Sequence, residues 1–209
     1  MSRCPKRSLR ISGGFLLLTA WFAMENGLWP MILILFAAAL HELGHFAALR
    51  LCGAPVQGVQ ISALGAVMMA ERSGLSYGEE LLALFAGPLI NLLCAAALVP
   101  PARELPALYA AAGAHLALGA FNLLPIRPLD GGQALELLVS WRFGPSVGER
   151  TARLVGAVCA AVLSCGLVWL MAKSEGNLWL ALPAAGLLAV CLRELWGSGL
   201  KRGVYNCRC

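Results

Sequence analysis

Residues 28–51 read LWPMILILFAAALHELGHFAALRL, and the fold turns on how that stretch is taken. A helix crosses a bilayer with about 20 apolar residues, and this run is long enough. Yet it holds His41-Glu42-Leu43-Gly44-His45, and before Arg50 its only ionisable side chains belong to that pentad. Ionisable groups at such depth are costly, so they point to function. His41 and His45 share one helix face, where two imidazoles can hold one zinc ion. Glu42, between them, stands where a metalloprotease keeps the general base for a metal-activated water. In a soluble helix this pattern could be chance packing. In a membrane helix three polar side chains need a reason.

The whole chain resembles that stretch in composition. Of 209 residues, 59% are hydrophobic and 13% charged, and mean hydropathy is +0.75. The apolar residues come in long runs, which predicts an all-α polytopic membrane protein with one domain over 1–209 and basic tails at 1–10 and 193–209. A net charge of +5 is not a nucleic-acid footprint here, because the basic residues sit in short segments between apolar runs. Eight cysteines do not read as a disulfide framework, since several fall within spans, where Cys acts as a small hydrophobe. Cys207-Arg208-Cys209 reads as a solvated tail. The basic start followed by Ile11–Ala23 has the outline of a signal peptide. It lacks a small-x-small cleavage site and is taken as an uncleaved first span.

About six spans are predicted. They are Ile11–Met24, Leu28–Leu51, a helix from Tyr77 to about Val99, Leu105–Leu124, Leu154–Ala172 and Asn177–Leu192. The third opens on the capping box Ser76-x-x-Glu79 and is stopped by Pro100-Pro101. Between spans two and three, residues 52–75 half alternate and contain glycine, which predicts a membrane-associated β-hairpin or broken loop. Gln133–Arg142 reads as a short interfacial helix, and Ser146-x-x-Glu149 as a second capping box. With six spans both termini share a side. Calling it cytoplasmic puts fourteen Lys and Arg inside and two, Arg103 and Lys173, outside. That asymmetry fits the positive-inside rule.

Catalytic zinc usually takes three protein ligands and an open position. His41 lies roughly 13 Å in from Arg50 along a helix. Span four returns to the same side, and Asp130 follows it after Pro125-Ile126-Arg127-Pro128-Leu129. Irregular backbone at membrane depth must be buried or line a wet cavity. Asp130 is therefore the expected third ligand; a plain turn residue before Gly131-Gly132 is the alternative. Glu71 and Glu136 compete less well, the first at the end of a polar hairpin and the second near the interface. His115 would sit roughly 20 Å from Asp130 if helical, and reads as a packing residue.

HELGH in one span, AGPLINLL in the next and NLLPIRPLDGG ending the fourth together resemble the site-2 protease family of intramembrane zinc metalloproteases. NLLPIRPLDGG is most similar to the bacterial sporulation branch, which processes a sigma-factor precursor, though without a nucleotide-sensing domain after the last span. The resemblance implies zinc on His41, His45 and Asp130, with Glu42 as base. It implies that Asn122 and Pro125 shape the substrate region and that Gly87, Pro88 and Asn91 form a further motif. Asn91, Asn122 and Pro125 are the expected substrate-binding residues. The implied setting is a bacterial cell membrane, with the active site toward the cytoplasmic face. A membrane-embedded or membrane-tethered protein would be the substrate, and membrane partners would inhibit.

A helical substrate hides its peptide bonds and must unwind, so residues 56–70 are expected to offer an edge strand to an extended peptide. Two rival readings remain at this point, a membrane zinc transporter or sensor and an inactive substrate-binding relative. A transporter needs the ligands but not the base.

Overall fold

A computed structural model describes residues 8–62, 65–71, 74–174 and 181–196. They form two compact units, Met1–Leu124 and Pro125–Cys209. The tail cysteines, the rest of both basic tails and the start of the sixth expected span lie outside the described residues.

The first unit begins with β1 (Ser8–Ile11), α1 (Gly13–Asn26) and α2 (Leu28–Leu51). Ser12 caps α1, its hydroxyl accepting from the Phe15 N–H. Gly27 alone separates α1 from α2, at φ 86°, a conformation that side chains disfavour. Gly53, at φ 78°, ends α2 in a Schellman turn: Ala54 N–H bonds Leu49 O and Gly53 N–H bonds Arg50 O.

Next come β2 (Val56–Ser62) and β3 (Gly65–Ala70), paired antiparallel. β1 lies parallel to β2 on its other side, with α1 and α2 as the crossover that a parallel pair requires. The sheet order is β1-β2-β3 among the described residues, so Val56–Ile61 is central, not an edge. The edge strand expected over 56–70 is thereby restricted to β3. The sequence pattern does not show this, because Ser8–Ile11 straddles the basic tail and the first apolar run.

α3 (Tyr77–Ala102) starts as expected. Ser76 Oγ accepts from Glu79 N–H while Glu79 Oε2 accepts from Ser76 N–H. Pro100 and Pro101 fall in its last turn, slightly later than a stop at Val99. α4 (Leu108–Asn122) has 15 residues and rises about 23 Å, short of a hydrocarbon core of about 30 Å. α3 packs against both α2 and α4. Ala48, Leu49, Ala54 and Ala83 form a core on which Val56, Met68 and Ala70 of the sheet rest.

The second unit contains α5 (Asp130–Phe143), α6 (Pro145–Lys173) and α7 (Ala181–Trp196). α6 starts nine residues before the expected Leu154, with Pro145 in its first turn. Ser146 is therefore not an N-cap; Gly144 holds that place at φ 93°. Glu149 is free of capping duty and pairs with Arg153 at 3.2 Å. Gly148 lets α6 approach α5, since a Cβ there would come within 2.6 Å of Glu136 O. Ser164 Oγ donates to Ala184 O at 3.0 Å, joining α6 to α7.

Among the described residues three helices, α2, α3 and α6, are long and apolar enough to cross a membrane. Their exposed faces carry large apolar side chains such as Ile32, Phe36, Leu89, Leu93, Leu154 and Val162. In water such surfaces would associate, whereas against lipid they are ordinary. The chain is a membrane protein. Among the described residues α1, α4 and α7 are shorter, at 14, 15 and 16 residues.

Candidate metal centre

The pentad sits in the second half of α2, with His41 buried and Glu42 and His45 half-buried. Helical spacing puts both imidazoles on the face turned to α3. Their Nε2 atoms are 3.1 Å apart. Two nitrogens on one tetrahedral zinc lie about 3.3 Å apart, given bonds of about 2.0–2.1 Å. The donor pair therefore fits a zinc ion.

Each ring is held from behind. His45 Nδ1 donates to Ala83 O at 2.7 Å. His41 Nδ1 lies 3.3 Å from the Asn91 side-chain nitrogen, and Asn91 Oδ1 lies 3.2 Å from His115 Nδ1. Asn91 is fully buried and His115 nearly so, at 3% exposure. Ring orientation fixed by a second hydrogen bond is usual for metal-binding histidines.

Absent Cβ atoms bring the helices together at this level. A Cβ on Gly44 would lie 2.7 Å from Ala86 O, and one on Gly87 would lie 2.7 Å from His45 Cε1. Gly119 of α4 would likewise meet Pro88 O at 3.2 Å. In lipid such small-residue contacts replace the hydrophobic drive between helices. Gly87, expected only within a motif, thus lies against the His45 ring, while Pro88 O meets Gly119.

Asp130 is the first residue of α5, half-buried, in the second unit. Its turn is tightly folded. Leu129 N–H bonds Ile126 O at 2.7 Å, and Gln133 Nε2 donates to Pro128 O at 3.0 Å. Gly132 must lack a side chain, since a Cβ would lie 2.6 Å from Arg127 N. Arg127 reaches Glu136 at 3.0 Å and the buried Glu194 at 3.8 Å. Glu136, one competitor for the ligand role, thus serves an ion pair. Glu71, the other, is exposed beyond β3, with its N–H on Pro55 O.

Asn91, expected at the substrate, is fully buried, its amide against His41 and His115. Asn122 is half-buried, its amide donating to Leu118 O at 3.0 Å within its own helix. Pro125 is half-buried at the start of the second unit, with Gly156 of α6 closing on its carbonyl. The role of His115 was not legible in the sequence; its only signal was a buried-type histidine in an apolar run.

Residues 104–165 match Peptidase family M50. The chain is 28% identical over 150 residues to "Zinc metalloprotease MJ0392" of Methanocaldococcus jannaschii, covering 67% of this chain and 44% of that one. It is 29% identical over 195 residues to "Putative zinc metalloprotease Rip3" of Mycobacterium tuberculosis, covering 87% and 49%. The chain spans about half the length of the curated relatives it matches. Its fold is that of the solved "Site-2 Protease from Methanocaldococcus jannaschii", with a TM-score of 0.64, 22% identity and coverage of 96% and 95%. These are likenesses in sequence to proteins named as zinc metalloproteases, and a likeness in fold to a solved site-2 protease.

Proposed function

We propose, from these likenesses and the site geometry, that the chain is an intramembrane zinc metalloendopeptidase cutting a membrane-embedded or membrane-tethered protein. The observation that carries the reading is the pair of facing Nε2 atoms, 3.1 Å apart, with Ala83 O and Asn91 behind the rings. Chance histidines on a helix have no reason for such support.

His41 and His45 would be two ligands and Asp130 the third. Two histidines and a carboxylate are a known donor set for catalytic zinc. Asp130 suits the role because its turn is fixed by Gly132, Gln133 and Arg127. Zinc there would supply Lewis-acid polarisation and acidify water. Glu42 would take a proton from the attacking water and return it to the leaving amine. Asn122 and Pro125 would shape the groove beside the substrate, with Asn91 holding His41.

The topology we propose has both termini and the metal centre toward the cytoplasm, on the charge asymmetry of fourteen to two. A sigma-factor precursor is the substrate that the NLLPIRPLDGG likeness suggests, and membrane partners would restrain the enzyme.

The test is reconstitution in vesicles with a tethered single-span substrate. Glu42→Gln should retain zinc and lose cleavage, while Asp130→Asn should lose both. If Glu42→Gln leaves cleavage intact, Glu42 is not the base; if the native chain takes up zinc and cuts nothing, the protease reading fails. Zinc movement across the vesicle by the Glu42→Gln variant would establish the transporter reading.

A further inference from the structure

Glu194 is a carboxylate in a stripe of α7 that is otherwise apolar. Ala184, Leu187, Cys191 and Glu194 recur at three- and four-residue spacing and are all buried, so they form one face, and α7 packs on α6. A buried carboxylate is costly unless it is paired. Glu194 has Arg127 Nη1 at 3.8 Å and Arg193, its neighbour in sequence, at 3.6 Å. Arg193 is 62% exposed and can turn to solvent, so the partner that reaches in from another element is Arg127. The chemistry proposed above makes no use of Glu194.

Stability is a weak reason to keep such a charge. Apolar side chains of similar volume often replace a buried ion pair or triad with no loss, or with a gain. Apolar contacts, however, have no direction. The Arg127 pairs do, and Arg127 stands three residues before Asp130. Its main chain is wedged between two helices. A Cβ on Gly132 of α5 would lie 2.6 Å from Arg127 N, and one on Gly156 of α6 would lie 3.6 Å from it. Ile126, just before it, is 1% exposed. The guanidinium is then held at two of its nitrogens, Nε on Glu136 of α5 at 3.0 Å and Nη1 toward Glu194 of α7. That group is planar, so two contacts on different nitrogens set its orientation as well as its place. The turn that carries Asp130 is gripped by α5, α6 and α7, and Glu194 is the point at which α7 takes hold.

We propose that Glu194 is a positioning residue for the metal centre: through Arg127 it holds the turn that sets where the Asp130 carboxylate stands. This rests on the zinc reading above and gives α7, which supplies no ligand, a part in it. Metal affinity and fold stability should therefore respond differently when the charges are replaced.

The experiment uses the full chain in detergent in three forms: native, Glu194→Gln, and a triple variant with Arg127→Met, Glu136→Leu and Glu194→Leu. Chelator competition gives zinc affinity, cobalt in place of zinc gives a ligand-field spectrum, and thermal unfolding without metal gives stability. Glutamine keeps the shape of Glu194 and an acceptor oxygen but not the charge. Glu194→Gln should weaken zinc about 10-fold, the low end for loss of support behind a ligand, and shift the cobalt bands. The triple variant should unfold no earlier than the native chain, because no buried charge is left without its partner. It should still hold zinc about 10-fold more weakly, or worse. Native zinc affinity with a native cobalt spectrum, in either variant, would overturn the proposal and leave the three charges a purely structural role. A native chain that takes up no zinc would instead overturn the metal reading on which the proposal rests.

Discussion

Arg127 and Glu136 form an ion pair of 3.0 Å that ties the turn before Asp130 to the helix following it. The same guanidinium lies 3.8 Å from Glu194, whose side chain is 8% exposed. Arg193 also reaches Glu194, at 3.6 Å, but is itself 62% exposed. Removing one member of a buried pair leaves an uncompensated charge, at about 3–5 kcal/mol. Arg193 softens the loss, so Arg127→Met should cost about 3 kcal/mol or slightly less. Thermal unfolding in detergent measures it. Arg127→Lys should fall between, because an ammonium cannot bridge both carboxylates with a planar fork.

Gly87→Ala should separate folding from metal binding. Alanine favours a helix over glycine by about 1 kcal/mol, so α3 should persist. Its methyl would lie 2.7 Å from His45 Cε1 and push the ring off Ala83 O. Zinc affinity should fall by about 10-fold or more with helicity unchanged. Circular dichroism and chelator competition read the two effects.

Stripping the metal should lower the melting temperature. A ligand at 100 times its dissociation constant stabilises the folded state by about 2.7 kcal/mol. Titrating zinc back should restore the melting temperature in the native chain and in Glu42→Gln, but not in His41→Ala.

Ser76→Ala should remove the two hydroxyl bonds of the capping box at the start of α3, to Glu79 N–H and to Glu79 Oε2, and leave the backbone N–H on Glu79 Oε2. The expected cost is about 1 kcal/mol in thermal unfolding. Zinc content should not change, because the cap lies seven residues before Ala83 on the same chain.

The pentad and the Ser76 cap were legible because each is a local pattern. Helical spacing decides the face that His41 and His45 share, and a capping box is complete within four residues. What escaped depends on distant pairing. Asn91 and His41 are 50 residues apart and Asn91 and His115 are 24 apart, so no window contains them. β1 was hidden because four residues beside a basic tail carry little periodicity. The start of α6 was misplaced because Gly144 and Pro145 outrank Ser146 as a helix opening: the glycine adopts φ 93° and the proline fits the first turn.

The contacts at Gly44, Gly87 and Gly119 have a thermal consequence. They are made mostly by main-chain atoms and an anchored imidazole, with Asn91 Cβ and Leu92 Cδ2 added at Gly119. A joint of this kind has few rotamers to populate on warming. The gap between the two Nε2 atoms therefore cannot widen by side chains relaxing one at a time; it widens only if whole helices slide. The pair should hold its spacing up to the temperature at which α2, α3 and α4 separate, and then lose it in one step.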